Sequence, residues 1–130
     1  ILFYPTAIGW QFDEGADEDA AQHDAWETIQ RSHAIANGVF VVAVNRVGFE
    51  AAPAIGSSDP AGDGIRFWGQ SFVSDPFGRV LSRASSEEPE TRVVECDLSA
   101  IERVRQEWPF LRDRRVDAYA DLTRRFRDRE

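Results

Sequence analysis

The chain has 130 residues, 42% of them hydrophobic, which suits one domain with a core and excludes a disordered chain. Its formal charge of -8 argues against the clustered positive surface that displaces counterions from nucleic-acid phosphates. All fifteen basic residues are arginine, so no lysine amine is available here, and a single cysteine, Cys96, excludes an internal disulfide.

The opening run Ile1-Leu2-Phe3-Tyr4 is apolar and β-prone with neither Met nor turn before it. It reads as a strand buried on both faces, inside a longer protein whose earlier part lies upstream. Pro5-Thr6 ends it. Gln11 to Asp19 places Asp13, Glu14, Asp17, Glu18 and Asp19 around Gly15, a solvated loop entering a helix N-terminus, where the helix dipole favours negative charge; an acidic metal site is the weaker reading. From about Asp19 to Asn37, Trp26, Ile29, His33 and Ala36 recur at spacings of three and four, which predicts a helix packed on a sheet and stopped by Gly38.

Val39 to Val44 is a continuous apolar strand that ends at Asn45-Arg46. Val47 to Gly64, rich in Gly, Ala, Ser, Asp and Pro, reads as a long surface loop of the kind that borders sites. Gln70 to Ser74 and Arg79 to Ala84 then form a hairpin about a type I turn at Asp75-Pro76-Phe77-Gly78, with Pro second and Gly fourth. Arg92 to Asp97 reads as a short strand, and Ser99 with Glu102 as a capping box that opens a helix. In the tail, Val116, Tyr119, Leu122 and Phe126 fall at helical spacing. That stripe must be buried against its own domain or against a second copy. The arginines beside it alternate with Asp113, Asp117, Asp121 and Asp128, which makes nucleic-acid binding a poor reading.

Catalytic options within the chain are few. Cys96 has no basic neighbour in sequence to lower its pKa. His33 lies on the predicted apolar face, so a satisfied, partly buried histidine is favoured over a base or ligand for it, and His23 sits ten residues before it on the same helix. Ser71 opens a strand and lacks the following helix that a nucleophile elbow needs.

Four phrases in order carry a specific likeness: FYPTAIG from Phe3, RSHAIANG from Arg31, NRVG from Asn45 and FWGQSFV from Phe67. Together with the Asp75–Gly78 hairpin they resemble the carbon-nitrogen hydrolase (nitrilase) superfamily. Adding WPFLRDRR from Trp108, the set is most similar to the branch acting on N-carbamoylputrescine. The resemblance implies an α/β fold, the C-terminal part of a four-layer α-β-β-α sandwich, over residues 1–107. It leaves 108–130 as a tail expected to make a homo-oligomer contact.

It also implies hydrolysis of a carbamoyl amide, N-carbamoylputrescine giving putrescine, carbon dioxide and ammonia, by a cysteine nucleophile, a glutamate base and a lysine. None of the three maps onto this chain, so all are expected upstream of Ile1. No metal or organic cofactor is implied, and neither nucleic acid nor membrane is an expected partner. By the same resemblance Tyr4, Pro5, Thr6, Ala7 and Ile8 should line the substrate pocket, against the alternative of an ordinary strand-ending turn. Asn45 is expected to anchor the site, or simply to cap a loop, and Ser71 to stabilise backbone beside it. Glu50, Phe67 and Trp68 are candidates to meet a substrate ammonium. Arg46 and Arg66 would serve the carboxylate of a carbamoyl amino acid, the alternative substrate, and a non-catalytic interaction module is the alternative from another class. The lone cysteine and the lack of a long apolar run point to the cytoplasm.

Overall fold

A computed structural model describes residues 1–11, 16–51 and 64–126. In chain order the elements are β1 (Leu2–Thr6), β2 (Gly9–Gln11), α1 (Ala16–Asn37), β3 (Val41–Asn45), β4 (Val47–Ala51), β5 (Gly64–Trp68), β6 (Phe72–Ser74), β7 (Val80–Arg83) and α2 (Ser99–Glu107), then a 3-10 turn at Val116–Tyr119. One sheet has the order β1-β3-β6-β7, with β1 and β3 parallel and the rest antiparallel. The second has the order β2-β5-β4, all antiparallel.

The β1-α1-β3 unit follows from the sequence pattern, since parallel neighbours need a crossover and a helix supplies it. Gly38 stops α1 as a Schellman cap: at φ +58° its N–H donates to the Ile35 carbonyl, and the Val39 N–H donates to the Ala34 carbonyl. The buried stripe of α1 differs from the predicted one. Trp26, Gln30 and Ala34 are buried at spacings of four, whereas Ile29 is 57% exposed and His33 and Ala36 are also exposed. Gln30 tolerates burial because its Nε2 donates to the Trp26 carbonyl one turn back, which offsets part of the desolvation of its amide.

The core lies between α1 and the larger sheet. Trp26 packs with Ala43 and Phe72, and Trp68 enters from the second sheet, making edge-on ring contacts with Trp10, His23 and Trp26. Burying a ring such as Phe72 contributes roughly 1.5–3 kcal/mol. The hairpin forms as expected: Gly78 N–H closes the turn on the Asp75 carbonyl at 2.8 Å, and the Asp75 carboxylate accepts from the Phe77 and Arg79 N–H groups at 2.9 Å each.

Among the described residues β1 pairs only with β3, and Phe3 is 66% exposed in this chain. Four further expectations are corrected. Val47–Ala51 is not loop but β4, because it finds a long-range antiparallel partner in β5; the remainder of that expected loop, 52–63, and residues 12–15 of the acidic segment lie outside the described residues. Residues 92–97 have no strand partner among the described residues, and Val93 is 97% exposed. Ser99 does not cap the helix after them: the cap position is Leu98, without a side-chain hydrogen bond, and the Asp97 carboxylate accepts from the Ser99 N–H and hydroxyl just before it. The tail stripe does not form one helix: Val116–Tyr119 is a short 3-10 turn, and among the described residues nothing buries Val116, Tyr119, Leu122 or Phe126, which are all exposed. Among the described residues no helix is long and apolar enough to cross a membrane.

Candidate functional site

The parallel ladder ends with Thr6 opposite Asn45. Asn45 is buried, and a buried primary amide must find partners for its oxygen and its nitrogen. Its oxygen accepts from the Thr6 hydroxyl at 2.9 Å and from the Ile8 N–H at 3.0 Å, and its nitrogen donates to the Ile8 carbonyl at 3.0 Å. The side chain thus acts as an extra rung that prolongs the ladder past β1 and fixes the path of the chain through residues 6–8. From the other side, the Ser71 hydroxyl accepts from the Asn45 N–H at 2.9 Å and donates to the Asn45 carbonyl at 3.1 Å. Thr6 and Ile8 on the side chain and Ser71 on the backbone thus bring three segments far apart in sequence together at one residue, Asn45.

Ser71 reaches Asn45 because the chain kinks just before it. Gly69 has φ +60°, where a Cβ would come within 2.6 Å of the Ser85 carbonyl oxygen, so glycine is required there on two counts. Gln70 also has a positive φ, +52°, unusual for a residue with a side chain. The kink is held by backbone bonds from Gly69 N–H to the Arg46 carbonyl and from Gln70 N–H to the Ser85 carbonyl. Arg83 then ties it to α1: its Nη1 donates to Gln70 Oε1 at 3.1 Å and lies 2.7 Å from a Glu27 carboxylate oxygen. Glu27 also pairs with Arg31, whose Nε donates to the Gly78 carbonyl at 2.8 Å. The hydrogen bond from Arg83, reinforced by the charges of Arg83 and Arg31, holds the Glu27 carboxyl below its ordinary pKa against the opposing effect of burial.

The expected pocket residues are placed unevenly. Tyr4 turns toward α1, its ring centroid 5.8 Å from that of His33, and Thr6 is committed to Asn45. Pro5, Ala7 and Ile8 remain at the surface of the turn. A cavity of about 520 Å³ beside β3 and β6 is lined by Asn45, Arg46 and Ser71 over an apolar floor of Val42, Val44 and Val73; none of residues 4–8 lines it. Glu90 also borders it, paired with Arg92.

The charge-recognition candidates do not stand free. Trp68 is completely buried in the core, Phe67 is buried with the Arg46 guanidinium 4.4 Å from its ring centroid, and Glu50 pairs with that same arginine. Arg66 lies over the Phe49 ring at 5.9 Å. Each is used within the fold, which sequence spacing alone does not reveal. His23 is half-buried between Trp26 and Trp68, while the ring of the exposed His33 serves Tyr4. Cys96 is a half-buried free thiol. Among the described residues no group of three or more His, Cys, Asp or Glu is arranged to hold a metal ion. Gln70, Arg83 and Glu27 were not singled out by sequence; the one signal for them was Gly69, which marks a turn just before Ser71.

The family model of the carbon-nitrogen hydrolases matches residues 10–106. Over 122 residues the chain is 39% identical to an N-carbamoylputrescine amidase of Arabidopsis thaliana, covering 94% of this chain and 38% of the plant protein. It is 30% identical over 126 residues to a citrullinase of Francisella tularensis, covering 97% of this chain and 40% of that protein. Among solved structures, a carbon-nitrogen hydrolase from Helicobacter pylori G27 superposes with a TM-score of 0.86 at 48% identity, over 96% of this chain and 41% of that one. The chain therefore spans about two fifths of the length of the relatives it matches. Its elements are part of the α/β fold of these enzymes, and the chain belongs to the carbon-nitrogen hydrolase family.

Proposed function

We propose that this chain is the supporting, pocket-shaping part of an amidase that hydrolyses the C–N bond of a carbamoyl amide, with N-carbamoylputrescine as substrate and putrescine, carbon dioxide and ammonia as products. The observation that carries the reading is identity of 37–39% to four plant N-carbamoylputrescine amidases across 94% of the chain. A ureido carbon is a poor electrophile because both nitrogens donate into its carbonyl. Cleavage therefore needs an activated nucleophile, a proton carrier and stabilisation of the oxyanion. With no lysine and only Cys96, this chain does not hold that set, and the cysteine, glutamate and lysine belong to the rest of the enzyme.

What these residues supply is shape. Asn45 and Ser71 hold the 4–8 turn, Tyr4 and Thr6 anchor it from inside, and Pro5, Ala7 and Ile8 present its surface to the substrate. Holding such a wall within a few tenths of an ångström matters because small misplacements of a substrate cost large factors in rate. The domain is assigned to residues 1–107 and the tail to 108–130, where the exposed Val116, Leu122 and Phe126 contact a second copy of the protein. The cytoplasm is the assigned compartment, in keeping with the unpaired thiol of Cys96.

A second reading, hydrolysis of a carbamoyl amino acid, is favoured by the similarity to citrullinase. The two separate in one assay, ammonia release by the full-length protein from N-carbamoylputrescine and from citrulline. Preference for the amine substrate supports the first reading, preference for citrulline moves it to the second, and no release from either removes both.

A further inference from the structure

We propose that Gln70 is a positioning residue for the substrate pocket, acting through Ser71 and Asn45 by virtue of its left-handed backbone conformation. The proposal rests on the carbamoyl-hydrolase reading for its kinetic consequence, and on geometry alone for its structural one. A residue with a side chain at positive φ persists only where its surroundings over-determine it, and such positions gather at functional sites.

Here the surroundings do so from three directions. Gly69 N–H is held by Arg46, the residue after Asn45; Gln70 N–H is held by Ser85; and the Gln70 side-chain oxygen is held by Arg83, itself paired with Glu27 on α1. The result of the kink is that Ser71 Oγ meets both backbone groups of Asn45, at 2.9 and 3.1 Å. Asn45 in turn fixes Thr6 and Ile8. If position 70 moves to negative φ, Ser71 is carried away from Asn45 and the 4–8 turn loses its support from that side.

The test compares Gln70→Val, which strongly disfavours positive φ, with Gln70→Gly, which tolerates it without a side chain. Both are made in the full-length protein. Hydrogen exchange of the peptide covering Tyr4 to Gly9 is measured beside kcat/KM for ammonia release from N-carbamoylputrescine. Expected are at least tenfold faster exchange and at least tenfold lower kcat/KM for Gln70→Val, with both restored to within threefold by Gln70→Gly. A folded Gln70→Val protein within threefold of wild type in exchange, or a Gln70→Gly protein as perturbed as Gln70→Val, overturns the proposal. Should Gln70→Val fail to fold, Gln70→Ala is judged on the direction of the exchange change and its reversal by glycine. Absence of ammonia release from the wild type would sink the carbamoyl-hydrolase reading, while the exchange arm would still decide the positioning role.

Discussion

Thr6 and Asn45 face each other across the last rung of the β1–β3 ladder, and the Thr6 hydroxyl donates to the Asn45 amide oxygen at 2.9 Å. A strand end is where backbone pairing stops and donors fall unsatisfied, so a side-chain amide at that point lets one more turn of chain be held in register.

Replacing Thr6 by Val keeps the shape but leaves the Asn45 oxygen with one donor fewer. The expected loss of stability in the full-length protein is about 0.5–1.5 kcal/mol, the net worth of one hydrogen bond, seen as a lower denaturant midpoint. Thr6→Ser, which keeps the hydroxyl, should recover most of it. Equal midpoints for wild type and Thr6→Val would show that the hydroxyl adds nothing.

The Glu27–Arg83 pair should make stability depend on pH in one direction only. The folded carboxyl titrates below its unfolded value of about 4.3, so its contribution is fully present above that pH and is lost as pH falls through the folded value. The stability difference between wild type and Glu27→Gln is therefore expected to be constant above about pH 5.5 and to shrink below about pH 4. Chemical unfolding at a series of pH values checks this; a difference that does not change on acidification would count against the pair.

Trp68 joins the second sheet to the core beneath α1 and is completely buried. Trp68→Ala is expected to cost about 3–5 kcal/mol through lost burial and the cavity left behind, enough to abolish folding in a marginally stable protein. Trp68→Phe should cost clearly less, because most of the volume is kept. Thermal unfolding of the two variants distinguishes this from a surface role for the ring, under which both would resemble wild type.

The exposed tail residues are expected to be buried in an oligomer. Leu122→Asp combined with Phe126→Asp places two charges in that contact and should lower the assembly state of the full-length protein in light scattering. An unchanged mass would remove the tail from the interface.

How much of this was readable in the sequence depended on the range of the interactions. β3 was visible as a continuous apolar run, and the Asp75–Gly78 turn and the Gly38 cap were visible from local residue chemistry. The helix face was misread because Gln30 satisfies part of its amide within the helix and takes the buried position that apolar periodicity gave to Ile29. β4 was missed because what makes Val47–Ala51 a strand is its partner β5, on the far side of residues 52–63. Asn45, Thr6 and Ser71 were reachable through the family resemblance. The strap from Glu27 through Arg83 to Gln70 was not, since three polar residues on a helix, a strand and a kink share no local pattern.

The most direct measurement is kcat/KM for ammonia release from N-carbamoylputrescine by the full-length protein, wild type against Asn45→Ala. If Asn45 holds the pocket wall of a carbamoyl hydrolase, the variant removes the partners of Thr6 and Ile8 together and should lose at least a hundredfold, about 2.7 kcal/mol of transition-state stabilisation, while remaining folded. A folded Asn45→Ala protein with activity within threefold of wild type would contradict the account.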